Sequence, residues 1–313
     1  MDYRSFGSTG LRVSPIGLGC MTFGREIDEA ASIPILRRAL DAGINLFDTA
    51  NVYGRGASEE IVGRALKDVR DRVVIASKFN GQMSDAPNDR GASRYHILNS
   101  VDASLRRLQT DRIDLYQIHR FDPDTPLEET LRALDDLVRA GKVRYIGCSN
   151  FAAWQVVKAL WISDLEHWVR FVSMQPRYNL IFREPESDLL PMCASEGLAV
   201  IPYSPLAGGF LTGKYQPGAP PPPGSRLATA AWYQDVYARE KNYRVVTALD
   251  KYAQTRGVPK EQLALAWVMS HPAITAPIVG ARTVAQLETA LAAYALKMTP
   301  EERDAITKIA DEA

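Results

Sequence analysis

The sequence predicts an α/β protein, a (β/α)8 barrel, from the number of its strand-like runs, their uniform polarity and the helical segments between them. Eight short apolar runs recur: SPIGLGC (14–20), INLFDTA (44–50), RVVIASK (72–78), RIDLYQIH (112–119), VRYIGCS (143–149), RFVSMQP (170–176), LAVIPYS (198–204) and ITAPIVG (274–280). They are near-continuous in Val, Ile and Leu, as suits parallel strands covered on both faces. Segments of helical periodicity separate them, among them EAASIPILRRALDAG (29–43), SRYHILNSVDASLRRL (93–108) and PLEETLRALDDLVRAG (126–141). Eight strand–helix units within 313 residues fit a closed barrel. A doubly wound open sheet is the competing architecture. Its G-x-G-x-x-G fingerprint is absent, because GLGCMTFG (17–24) has the wrong spacing and Gly208–Gly209 is only a pair.

Taken in order, the remaining elements decorate that barrel. DYRSFGSTGLRVS (2–14) alternates about STG and predicts a β-hairpin plugging the barrel bottom. Ser58 with Glu60 and Ile61 marks one helix start, and Gly141 marks a helix stop. Residues 205–234, PLAGGFLTGKYQPGAPPPPGSRLATAAWYQ, predict a long loop after strand seven on their Pro and Gly density. TPEERDAITKIADEA (299–313) opens with a Thr299/Glu302 capping box and predicts a C-terminal helix. No linker-like stretch divides the chain, so residues 1–313 read as a single domain.

Composition narrows the function. Lys and Arg together number 37 and balance 37 Asp and Glu, which argues against a nucleic-acid face or a polybasic membrane patch. The N-terminus carries no apolar signal-peptide core, and no run approaches the roughly 18 apolar residues of a membrane span. Cys20, Cys148 and Cys193 form no C-x-x-C, and the expectation is three reduced, buried thiols in a cytoplasmic protein. Four histidines lack metal-ligand spacing, so no metal site is expected.

In a barrel the C-terminal strand ends build the site. Strand two ends at Asp48 with Tyr53 in the next loop, strand three ends at Lys78, and strand four ends at His119. Each has a bland explanation alone: a turn cap, a packed phenol, a snorkelling lysine, a core histidine. Together at one rim they suit a proton donor. A phenol with a pKa near ~10 is a poor acid at neutral pH. An ammonium about 4 Å away at an effective dielectric of about 20 favours phenolate by about 4 kcal/mol. That is about three pK units, and it predicts a Tyr53 pKa brought towards neutrality. Asp48 holds Lys78 charged, and neutral His119 orients a carbonyl oxygen. Such a site needs a hydride source, nicotinamide or flavin.

The motifs GINLFDTANVYG (43–54), VVIASK (73–78), SLRRLQTDRIDLYQIHRFD (104–122), VRYIGCSN (143–150), MQPRYN (174–179), IPYSPLAGGFLTGKY (201–215) and PIVGART (277–283) resemble the aldo-keto reductase family, in order and along essentially the whole chain. The resemblance implies a TIM barrel, binding of NADPH or NADP+ ahead of NADH, and reduction of aldehydes and ketones. It implies that Asp48, Tyr53, Lys78 and His119 form a catalytic tetrad. It further implies that Ser149, Asn150 and Gln175 clamp the nicotinamide carboxamide, that Tyr203 stacks under the ring, and that Ser204, Leu206, Gly208 and Lys214 meet the pyrophosphate. Gly280, Arg282 and Gln286 then lie at the adenosine phosphate, with Arg226 as a further cation. Where many members carry Glu–Asn at the adenine position this sequence has Thr289–Ala290, which implies a differently made adenine grip.

Loops build the substrate pocket in this fold, and Met21, Phe23, Phe79, Arg120, Trp232 and Tyr233 are its candidates. Trp232 and Tyr233 also suit lid packing. The same residues run backwards would oxidise a sugar or secondary alcohol, and the resemblance extends to potassium-channel β-subunit-like proteins, a nucleotide-binding regulatory role. A small-molecule carbonyl is the expected partner, with no nucleic acid or membrane; the sequence leaves the oligomeric state open.

Overall fold

The computed structural model describes residues 1–313. Eight parallel strands form the barrel: β3 (Gly17–Gly19), β4 (Leu46–Asp48), β5 (Val74–Phe79), β6 (Ile113–Ile118), β7 (Val143–Ser149), β8 (Phe171–Gln175), β9 (Ala199–Val200) and β10 (Ile278–Gly280). Seven lie within the apolar runs, and β5 extends one residue past its run to Phe79. The paired order is β10-β3-β4-β5-β6-β7-β8-β9. Backbone hydrogen bonds draw the two ends together: Thr275 N–H donates to the Val200 carbonyl, and Ile278 N–H donates to that of Pro202. The chain is a (β/α)8 barrel.

Strand alternation sorts the side chains into two cores. Leu46, Val74, Ala76, Leu115, Ala199, Ile201 and Ile278 pack in a small cluster closed by Phe6 and Val13 of the N-terminal hairpin, β1 (Arg4–Ser5) and β2 (Arg12–Val13). The hairpin therefore plugs one end. The larger cluster, which includes Phe47, Ile75, Phe79, Tyr116 and Ile118, takes the alternate strand positions and meets the surrounding helices. Asp48, Lys78 and Gln117 share parity with the interior residues, so the strands deliver polar groups towards the mouth.

Helices α1 (Glu29–Asp41), α2 (Ala57–Leu66), α3 (Arg94–Leu108) and α4 (Leu127–Arg139) fall on the predicted segments. Gly141 follows α4 at φ +75°, a left-handed turn that glycine adopts without a Cβ clash. The start of α2 differs from expectation. Gly56 is its cap, and Ser58 sits inside the helix, its hydroxyl bonded to the Cys20 carbonyl at 2.8 Å. After β7 comes α5 (Ala153–Leu165), and after β8 comes α6 (Leu189–Ser195).

The stretch after β9 is also more ordered than its composition predicts. It contains a 3-10 turn over Ala207–Thr212 and helices α7 (Arg226–Thr229) and α8 (Ala231–Tyr237). The alanine-rich RLATAAWYQ favours helix once the proline run has passed. Helices α9 (Glu240–Arg256) and α10 (Lys260–Met269) lead to β10, followed by α11 (Val284–Ala295) and α12 (Pro300–Glu312). Thr299 caps α12 by accepting from Glu302 N–H, while the Glu302 carboxylate pairs with Arg256 rather than completing a capping box. All three cysteines are free and buried. No helix is long and apolar enough to cross a membrane.

Candidate active site

Lys78 projects from β5 into the barrel mouth with no solvent exposure. Its Nζ donates to Asp48 Oδ1 at 2.6 Å, to the Thr49 carbonyl at 2.9 Å and to the Tyr53 hydroxyl at 3.3 Å. Asp48 ends β4, and Tyr53 arrives on the turn that follows. His119, just beyond β6, meets the Tyr53 ring edge-on at a centroid distance of 5.7 Å. The four side chains that sequence placed at one rim are thus brought together.

The electrostatics depart from the sequence expectation at one point. Burial raises the Tyr53 pKa, and the downward pull of Lys78 does not overcome it, partly because Asp48 opposes that pull. The phenol is not drawn towards neutrality; it stays protonated. Burial also disfavours charged Lys78, but Asp48 and Tyr53 outweigh it and the lysine pKa rises. Burial, with the Lys78 and Arg120 charges, lowers His119 to about 3, so its imidazole is neutral at physiological pH.

Two glutamines that face the same interior complete the hold on Asp48. Its Oδ2 accepts from Gln175 Nε2 at 2.8 Å and, over a longer 3.4 Å, from Gln117 Nε2. Sequence reasoning missed Gln117, although it lies on β6 two residues before His119, a spacing that carries both to the same face.

A cleft of about 480 Å³ opens above this cluster. Asp48, Tyr53 and His119 line it, as do Met21, Arg120 and Trp232. Ser149, Asn150, Gln175 and Tyr203 also line it, with Ser204, Leu206, Gly208, Lys214, Arg226, Gly280, Arg282 and Gln286. These groups hold one another. Tyr203 donates to Asn150 Oδ1 at 2.8 Å, and Asn150 Nδ2 donates to the His119 carbonyl at 2.9 Å. Asn150 and Ser204 both adopt φ +56°, left-handed conformations that cost energy and cluster where a site demands them. Gly208, at φ +66°, has the Tyr233 ring 2.7 Å from where a Cβ would stand. A larger residue there would have to displace that ring and adopt a strained left-handed backbone.

Two pocket candidates fall outside the cleft. Phe79 follows Lys78 on β5, so alternation turns it into the helix-facing core against Tyr116. Phe23 is fully buried in the same core. Tyr233 lines the cleft and also packs on Trp232 with ring centroids 3.8 Å apart, so the cleft and lid readings both apply. Arg226 lines the cleft, but its guanidinium pairs with Glu26 at 3.1 Å. Glu26 also lines the cleft, and nothing in the sequence marked it.

A barrel with a buried Lys–Asp pair, a protonated tyrosine and a neutral imidazole beneath a long polar cleft has the makings of an oxidoreductase that moves a hydride and a proton. The aldo/keto reductase family model matches residues 15–311. The chain is 40% identical to versiconal hemiacetal acetate reductase of Aspergillus parasiticus, covering 96% of this chain and 95% of that one. It is 41% identical to an uncharacterized oxidoreductase of Bacillus subtilis over 96% of this chain and 93% of the relative. It is also 37% identical to a probable voltage-gated potassium channel subunit beta of Oryza sativa, over 99% and 96% of the two chains. The chain belongs to the aldo/keto reductase family. It is an NAD(P)H-dependent oxidoreductase acting on carbonyl compounds.

Proposed function

We propose that this enzyme is an NADPH-dependent carbonyl reductase that converts aldehydes and ketones to alcohols, with Tyr53 as proton donor. The observation that carries the reading is the saturation of Lys78. Its three N–H donors go to Asp48, the Thr49 carbonyl and Tyr53. The Tyr53 oxygen is therefore an acceptor towards the lysine, and its own hydrogen is free for a substrate oxygen. Burial keeps that hydrogen in place at neutral pH. Lys78 stabilises the phenolate left after transfer, Asp48 keeps Lys78 charged, and neutral His119 donates one hydrogen bond to orient the carbonyl.

The cleft residues fit an extended dinucleotide. The Gln175 amide nitrogen faces the Asp48 carboxylate, which leaves its oxygen for a carboxamide N–H; Ser149 and Asn150 adjoin it. Tyr203 supplies a flat ring. Lys214 and the left-handed backbone at Ser204, Gly208 and Gly209 suit phosphate oxygens. Arg282 stands immediately before α11, whose N-terminus is capped by Thr283. A guanidinium beside a helix N-terminus suits a 2′-phosphate, which favours NADPH over NADH. Thr289 lines the cleft near that end, in place of the common Glu–Asn grip. When bound, NADPH supplies the hydride to the carbonyl carbon. The likeness to a named reductase supports the reductive direction.

Purified protein mixed with NADPH and a panel of aldehydes, diketones and nitrobenzaldehydes tests the reading through loss of reduced-nicotinamide absorbance. Turnover is expected, and Tyr53→Phe should abolish it while cofactor still binds. Tight cofactor binding without turnover of any carbonyl would favour the regulatory role. Turnover confined to alcohols with NADP+ would favour the oxidative direction.

A further inference from the structure

Charge at the reacting end of the cleft is unevenly compensated. Three carboxylates line the cleft, and two of them are engaged: Asp48 with Lys78 at 2.6 Å, and Glu26 with Arg25 at 2.5 Å and Arg226 at 3.1 Å. The third, Glu261, lines it with Thr212, Lys214 and Gln286, residues of the cofactor end. At the Tyr53 end stands Arg120, the residue after His119, and it forms neither an ion pair nor a side-chain hydrogen bond. Asp122, the nearest acid along the chain, is occupied elsewhere, accepting from Ala92 N–H at 2.7 Å and Thr125 Oγ1 at 2.8 Å. Arg120 is close enough for its charge to add to the effect of burial and Lys78 in lowering the His119 pKa, and to oppose slightly the burial that raises Tyr203. The Asn150 amide, bonded to the His119 carbonyl at 2.9 Å, anchors the backbone from which it springs.

Apolar and aromatic side chains share the cleft with this cation. Met21 and Trp232 line the same cleft, and Trp232 rests on Tyr233. An apolar slot with one unanswered guanidinium matches a flat molecule with an anionic edge. A guanidinium fork meets a carboxylate through two parallel N–H···O bonds, a geometry that a neutral ester cannot return with equal strength.

We propose that Arg120 is a specificity-determining residue and that this reductase prefers aromatic aldehydes carrying a carboxylate, with the carbonyl at Tyr53 and His119 and the anionic group on Arg120. The proposal rests on the carbonyl-reductase reading and names its substrate class. Arg120 takes no part in proton transfer; it selects which carbonyl compound lies above Tyr53.

The test compares para- and meta-carboxybenzaldehyde with their methyl esters, as the ratio of kcat/KM for each acid over its ester. The wild-type ratio should exceed one for at least one isomer, and Arg120→Met should lower it by about 10- to 100-fold, the range of a charge-assisted hydrogen bond. Arg120→Lys should keep part of the preference, and Arg120→Glu should bring the ratio below one. A wild-type ratio at or below one for both isomers overturns the proposal, as does a ratio that Arg120→Met leaves unchanged. Binding of para-hydroxybenzoate against para-hydroxybenzamide, measured by calorimetry in the presence of NADP+, gives a readout without turnover. Tighter benzoate binding that disappears in Arg120→Met supports the proposal, whereas absence of turnover on these aldehydes and on the wider carbonyl panel would remove the reductase reading on which it rests. Equal binding of the two ligands overturns the proposal.

Discussion

Lys78 has three N–H donors and spends all of them inside the protein, so its removal acts on two neighbours at once. In Lys78→Met the Asp48 carboxylate remains buried without its cation, and the Tyr53 phenol loses the one nearby charge that favours phenolate. Reduction should slow by about 10²- to 10⁴-fold, the usual worth of positioned proton transfer. The pH dependence gives the sign. Burial already raises the Tyr53 pKa, and loss of Lys78 raises it further. Alcohol oxidation needs the Tyr53 phenolate as base, so its rate should climb with pH, with an inflection at higher pH in Lys78→Met than in wild type. An unshifted inflection would remove Lys78 as the tuner. Arg282 makes a second residue-scale case. Its Nη1 donates to the Gly224 carbonyl at 2.9 Å, tying the loop after β9 to the start of α11. If it also meets a 2′-phosphate, Arg282→Ala should weaken NADPH binding much more than NADH binding in a fluorescence titration. Equal losses would leave it only the loop tie.

At the scale of elements, close approach decides what the barrel tolerates. Gly63 lies inside α2, where a Cβ would stand 2.5 Å from the Leu108 backbone at the end of α3. Glycine within a helix usually costs about 1 kcal/mol against alanine. Here the alanine methyl would collide with main chain that cannot rotate away, so Gly63→Ala should destabilise by about 1–3 kcal/mol instead of stabilising. A lower urea midpoint at unchanged slope would show it. The same local physics explains what could be read from sequence. The eight strands were legible because parallel strands buried on both faces leave continuous apolar runs. The meeting of Asp48, Tyr53, Lys78 and His119 was legible because ionisable groups stand at or just beyond the ends of those runs. Phe79 could have been excluded by the same alternation, since an inward Lys78 turns its neighbour outward. Phe23 carried no such signal, because its burial depends on how the loop after β3 folds back. Nor did the pairing of Glu26 with Arg226, which joins loops far apart in the chain. Helices α7 and α8 were hidden behind PPPP, whose composition dominates any reading of residues 205–234.

For the molecule as a whole, buried and half-buried histidines set how it meets acid. Burial is the leading cause that lowers the pKa of His96, His119 and His271 below the ordinary 6.5, His119 to about 3. In the unfolded chain each regains its ordinary value. Below about 6.5 the unfolded state therefore takes up protons that the folded state refuses, and stability falls with pH in that window. Glu26 and Glu186 show linkage of the same sign in a lower pH window. Arg25 and Arg183 hydrogen bonds hold them below 4.5 against the effect of burial, so their contribution is present above 4.5 and is lost further into acid. The two sets predict a two-stage loss: Tm should begin to fall near pH 6.5, well before carboxylates protonate, and steepen below about 4.5. His119→Asn should flatten the first stage without moving the second, measured by thermal melts across pH in a non-binding buffer. A melting temperature constant down to pH 4.5 would mean that the buried imidazoles accept protons in place. His119 could then no longer be the neutral donor that the site requires.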